Sequence, residues 1–83
     1  MVKEENWAID PSRVRAFFAA QPNTIETADG FLLDGCQVML AEDSGTLMGR
    51  WNIARTRLRF EGEPEAIERV YRRFFLRFLS AGG

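Results

Sequence analysis

The chain has 83 residues, which suits a single domain. Apolar residues make up 46% of it, with seven Phe, two Trp and one Tyr, so an aromatic core is expected and intrinsic disorder is excluded. Net charge is −1, with one cysteine and no histidine, so no intrachain disulfide can form and the commonest general base and metal ligand are missing. The chain is therefore expected not to be an enzyme and to need no metal or cofactor.

The opening "MVKEENW" lacks the apolar run of a signal peptide. No stretch approaches the roughly 18–20 apolar residues of a membrane span, so a cytoplasmic setting away from membranes is expected. The polar residues 1–6 are expected to fray, with order beginning at Trp7 and Ile9.

"IDPSRVRAFFAAQP" predicts a short helix with both ends marked. Asp10 is a good N-cap, and Pro11 suits the first helical position, where its missing N–H has no intrahelical partner to lose. Ile9 and Val14 flank the cap as a hydrophobic staple. Val14, Phe17 and Phe18 fall on one face, and Pro22 stops the helix after about ten residues.

From Asn23 to Glu63 the period drops towards two, which predicts an antiparallel meander. Two Asp-Gly pairs compete for its first tight turn. A turn at Asp34-Gly35 would pair Leu33 with Cys36 and Phe31 with Val38. A turn at Asp29-Gly30 would pair Ala28 with Phe31 and Ile25 with Asp34. The second is preferred, because it leaves one long strand through Leu40 with Gly35 as a bulge. "EDSGT", Glu42 to Thr46, reads as a hairpin loop. In the strand that follows, Trp51 and Ile53 share parity with Arg55, Arg57 and Arg59, while Thr56, Leu58 and Phe60 have the other. A bulge near Asn52–Ala54 would reconcile them, with a second kink at Gly49.

"EPEAIERVYRRFFLRFLSAGG" predicts a long helix from Pro64 to about Leu79. Acidic residues lead and arginines follow, as the helix dipole favours, and Glu65–Arg69 and Glu68–Arg72 are i, i+4 pairs. Ile67, Val70, Tyr71, Phe74 and Phe78 cluster on one face. Phe75 and Leu79 widen that arc to about 180°, and Leu76 lies on the opposite side. This is more apolar surface than one core face needs, so Phe75, Leu76 and Leu79 are candidates for a partner surface, most simply a homodimer seam.

Charge is unevenly spread. Residues 1–49 carry three basic and eight acidic side chains, and residues 50–83 carry eight Arg and four Glu. Arg55, Arg57 and Arg59 alternate on one strand face, roughly 6.6 Å apart, and could grip successive phosphates or a carboxylate-rich partner. Nucleic-acid binding is thus a second candidate, set against a chain pI near 5.4 and the alternative that these arginines pair with Glu26, Glu42 or Glu61. Asp29 and Asp34 lack the alternating ligands and closing Glu of a calcium loop, and Cys36 reads as a small buried hydrophobe.

The order helix, strands, helix is similar to the double-stranded RNA-binding domain. There the second helix opens with lysines, whereas here it opens with Glu63, Pro64, Glu65 and Glu68, whose carboxylates would repel phosphate. The terminal Gly82-Gly83 resembles ubiquitin-like sulfur carriers for molybdopterin and thiamine synthesis, whose Gly-Gly is adenylated and then thiocarboxylated. Those carriers have a β-grasp core and an extended tail, whereas the helix expected here leaves a short one.

The expected fold is α+β: a short N-terminal helix, three or four antiparallel strands, and a longer C-terminal helix packed on one face of the sheet. The expected core is Phe17, Phe18, Val38, Leu58, Phe60, Ile67, Tyr71, Phe74 and Phe78. The leading functional expectation is a non-enzymatic interaction module that binds itself or another protein. Anion or nucleic-acid binding through the Arg row stands second, and a sulfur carrier third.

Overall fold

The structure is a computed structural model and describes residues 1–44 and 54–82. Among the described residues seven elements follow one another: β1 (Val2–Trp7), α1 (Pro11–Ala19), β2 (Ile25–Glu26), β3 (Gly30–Leu33), β4 (Cys36–Ser44), β5 (Ala54–Gly62) and α2 (Pro64–Gly82). The strands form one antiparallel sheet in the order β1-β5-β4-β3-β2, and both helices lie on the same face of it. The α+β expectation holds, with one strand more than expected.

The extra strand is β1, built from residues expected to fray. Its inward positions are Lys3, Glu5 and Trp7, opposite Phe60, Leu58 and Thr56. The charged ones keep their heads at the rim and lay their stems on the core. Lys3 Nζ sits 4.5 Å from the centre of the Tyr71 ring, and Glu5 accepts hydrogen bonds from Trp7 Nε1 (3.3 Å) and the Tyr71 hydroxyl (3.2 Å). The free edge of β1 thus carries Lys3, Glu4 and Glu5, charges of the kind that discourage edge-to-edge pairing.

Helix α1 begins as its sequence dictates. Asp10 Oδ1 accepts from the Ser12 backbone N–H and hydroxyl, both at 2.8 Å. Those bonds, led by the hydroxyl's, hold the Asp10 carboxyl below its ordinary pKa.

The first tight turn is Asp34-Gly35, a correction to the preferred reading. Asp34 (φ 52°) and Gly35 (φ 78°) both adopt positive φ, as a two-residue hairpin of this hand requires. Leu33 faces Cys36 and Phe31 faces Val38, so all four point into the core. Asp29-Gly30 instead closes a wider loop, in which Ile25 pairs with Leu32 rather than Asp34. Gly30 is needed there because a Cβ would run into the backbone carbonyl of Val38. Glu42, Asp43 and Ser44, expected in a hairpin loop, continue β4 opposite Thr56, Arg55 and Ala54. The rest of that loop, the kink at Gly49 and the bulge expected before Ala54 lie outside the described residues.

The core lies between the sheet and the helices. Phe18, Val38, Leu58, Phe60, Ile67, Phe74 and Phe78 are buried as expected, while Phe17 and Tyr71 are half-buried against them. Val14, Phe31, Leu33, Cys36, Ala66 and Val70 complete it. Phe74 is the hub, with ring centres of Trp7 and Phe78 each 5.0 Å away and that of Phe18 stacked at 5.8 Å. Each fully buried side chain of this size stabilises the fold by about 1.5–3 kcal/mol.

Candidate interaction surfaces

Helix α2 divides its apolar side chains between core and solvent. Ile67, Val70, Phe74 and Phe78 are buried, whereas Leu76 and Leu79 are 56% and 54% exposed. Phe75 is half-buried: its ring meets Trp7 and Tyr71, each at 5.9 Å. Of the three candidate partner residues, two are therefore free ridge residues and the third is a flank that leans on β1. The same outer face carries Glu65 and Glu68 in its first half and Arg72 and Arg73 further along. Arg72 pairs with Glu68 at 3.1 Å, but Arg69 does not pair with Glu65. It reaches Asp34 Oδ2 (3.3 Å), as does Arg73 (3.1 Å), tying the β3–β4 turn to α2.

Arg55, Arg57 and Arg59 stand on the sheet face that carries no helix, since their strand neighbours Thr56, Leu58 and Phe60 are the buried set. Arg59 forms a 2.9 Å ion pair with Glu61, and Arg55 Nε donates to Asn6 Oδ1 at 2.8 Å. Glu4 lies opposite Arg59, and Asp43 occupies the register position opposite Arg55. Glu26 and Glu42, considered as partners from the sequence, face the helix side, opposite Phe31 and Thr56. The Arg row is real as a geometric feature, and carboxylates of the N-terminal half are interleaved with it.

Two other reactive groups serve the packing. Burial raises the Cys36 thiol to about 11. Burial, and next the charge of Glu5 and its hydrogen bond, raise the Tyr71 phenol. Among the described residues, no group of three or more His, Cys, Asp or Glu is placed to hold a metal ion, and no helix is long and apolar enough to cross a membrane.

Residues 8–83 match the family described as Archaeal MoaD-like protein. The chain belongs to that family. No curated protein and no solved structure matches it. The match to the MoaD-like family covers α1, the meander and α2 and runs through Gly82 and Gly83, the two residues that carried the resemblance to sulfur carriers. The backbone approaching them is helical, since α2 extends through Gly82 rather than stopping near Leu79.

One further constellation had no signal in the sequence. Arg13 on α1 and Arg77 on α2 both approach the ring of Phe78, at 5.9 and 5.6 Å from its centre. They are far apart along the chain, and the packing of the two helices brings both to the same ring.

Proposed function

We propose that this MoaD-like chain is a non-enzymatic protein-interaction module that associates with a second copy of itself through the outer face of α2. The observation that carries the reading is the pair Leu76 and Leu79, neighbours on the helix and each more than half exposed. Burying two such side chains at a seam removes apolar surface that the folded monomer leaves in water. The charge order along α2 favours a second copy in antiparallel orientation. Glu65 and Glu68 of one helix then approach the later arginines of the other, and a two-fold axis repeats the contact. The Arg row of β5 is less suited to recognition of a polyanion, because Glu4 and Glu61 sit beside it and offset its field.

Sedimentation equilibrium tests the reading. Wild type is expected to dimerise, with Leu76→Glu and Leu79→Glu shifted to monomer while keeping wild-type circular dichroism. A wild-type monomer over the whole accessible concentration range overturns it.

A second reading has its own support in the family match: a sulfur carrier modified at Gly83. It requires the Gly83 carboxylate to be free and the last turn of α2 to unwind into an activating enzyme. Gly82 lowers that cost, since a helical Gly is about 1 kcal/mol less favourable than Ala. Incubation with ATP, an adenylating enzyme and a sulfide donor should exchange one carboxylate oxygen for sulfur. An unchanged intact mass counts against it.

A further inference from the structure

We propose that Asp34-Gly35 is a modification site at which the chain isomerises its own backbone, converting Asp34 to isoaspartate, and that Arg69 and Arg73 set the rate. The chain holds two Asp-Gly pairs, and the glycine in each leaves its backbone nitrogen without a side chain to shield it. The fold treats the two pairs differently. Gly30 is buried, and its N–H donates to Thr27 Oγ1 at 3.1 Å. The Asp29 carbonyl accepts from the Leu40 N–H at 3.0 Å. Both polar groups of the Asp29–Gly30 peptide bond are thus engaged. Asp34 and Gly35 are instead exposed at the tip of the β3–β4 hairpin. What restrains Asp34 is its side chain: Oδ2 accepts from Arg69 Nε at 3.3 Å and from Arg73 Nη2 at 3.1 Å.

The reaction begins when the Gly35 backbone nitrogen attacks Asp34 Cγ. The N–Cγ bond forms, one Cγ–O bond breaks, and that oxygen leaves as water with the carboxyl proton and the proton of the nitrogen. Water then opens the five-membered succinimide. Opening at Cγ restores Asp34; opening at the original backbone carbonyl routes the chain through Cβ and Cγ and gives isoaspartate. The net change is an isomerisation, so no mass is gained or lost and no oxidant or cofactor is consumed. The carboxylate must give up both ion pairs before an oxygen can leave, so the two arginines slow the closure. At Asp29 the attacking nitrogen must first give up its bond to Thr27, within a backbone fixed by Leu40. Isoaspartate carries its carboxylate directly on Cα, which draws it away from Arg69 and Arg73 and releases the turn from α2. The site is separate from the Leu76–Leu79 ridge and does not depend on self-association.

Prolonged incubation of the full chain at neutral pH tests this, followed by digestion with a protease that cuts before Asp but not before isoaspartate. Isomerisation at Asp34 leaves residues 29–42 uncut, and isomerisation at Asp29 leaves residues 10–33 uncut. In guanidinium chloride, where the fold is lost, both fragments should accumulate. In the folded wild type the 29–42 fragment should accumulate more slowly than in denaturant, and the 10–33 fragment should stay at background. Arg69→Gln combined with Arg73→Gln should speed conversion of Asp34 about fivefold, and each alone about twofold, the scale of exposed ion pairs of modest worth. Arg72→Gln, whose partner Glu68 lies on its own helix, should leave the rate unchanged. Asp29 reports general loosening of the fold in every variant, so equal acceleration at Asp29 and Asp34 overturns the proposal. So do equal rates at Asp34 in wild type and the double variant, or no 29–42 fragment from either folded protein when the denatured chain has converted.

Discussion

Thr56→Val isolates one hydrogen bond that ties the start of α1 to the sheet. Thr56 is fully buried, and its hydroxyl donates to the Ile9 backbone carbonyl at 2.7 Å. Ile9 immediately precedes the Asp10 cap, so the bond fixes where the chain leaves β1 and turns into α1. Valine has the same shape and no donor. The substitution leaves the Ile9 carbonyl unpaired in a half-buried position, at a cost of about 1–3 kcal/mol. Exchanging hydroxyl for methyl returns at most about 0.8 kcal/mol of apolar burial. The hydrogen bond therefore wins, and net destabilisation of roughly 1 kcal/mol is expected, a fall in Tm of about 4–8 °C for a domain of this size. A chain of this length has about 4–12 kcal/mol of stability in all, so the variant stays folded and measurable.

Thr56→Ser keeps the donor and loses the methyl, so it controls for packing. Urea denaturation gives both free energies, and hydrogen exchange gives the local effect. The first amides of α1 should exchange faster in Thr56→Val than in Thr56→Ser. A Thr56→Val protein at or above wild-type stability, with unchanged exchange in α1, would refute the reasoning.

Cys36 has its thiol raised from 9.0 to about 11 by burial. The unfolded thiol ionises first, so stability present below pH 9 should decline as pH rises towards 11; Cys36→Ala, though less stable at neutral pH, should lose less over that window in denaturation curves. Tyr71 is the chain's single tyrosine, so phenolate absorbance reports it alone. Its midpoint should lie above the ordinary value, and Glu5→Gln should lower it only in part, because burial outranks the Glu5 charge; full return to the ordinary value would contradict that order. Asp34→Ala should destabilise by about 1–2 kcal/mol, combining two exposed ion pairs of modest worth with a positive φ that Ala resists. Asp34→Gly should recover the backbone part in thermal melts, and equal loss in both variants would place the whole effect in the ion pairs.

Elements with a strong local cause were legible in the sequence. Asp10-Pro11 marks the start of α1, Pro64 marks α2, and the parity of Thr56, Leu58 and Phe60 identifies the buried side of β5. The missed strand had no such cause, because β1 places Lys3 and Glu5 at inward positions that a hydrophobic pattern reads as solvent. Their partner, Tyr71, is distant in sequence. The wrong turn followed from weighing strand length over inward packing: Phe31–Val38 and Leu33–Cys36 make a four-residue apolar contact that a longer strand could not match. Of the candidate partner residues, Leu76 had its exposure legible because it is apolar on the wrong side of its helix. The half-burial of Phe75 was not legible, because the strand it leans on was not foreseen. The approach of Arg13 and Arg77 to the Phe78 ring was invisible, since it depends on how the two helices pack.

The acidic first half and basic second half of the chain meet in the fold, but not everywhere. On the sheet and its turns they neutralise each other: Asp34 takes Arg69 and Arg73, and Glu4 faces Arg59 across β1 and β5. These contacts join the two halves and explain much of the asymmetry as structure. At the helix pair α1 contributes Arg13, one of only three basic residues in its half, which approaches the Phe78 ring with Arg77 and also acts electrostatically on Asp10. Exposed ion pairs contribute about 0–1 kcal/mol each, so little stability would be gained by placing a carboxylate there.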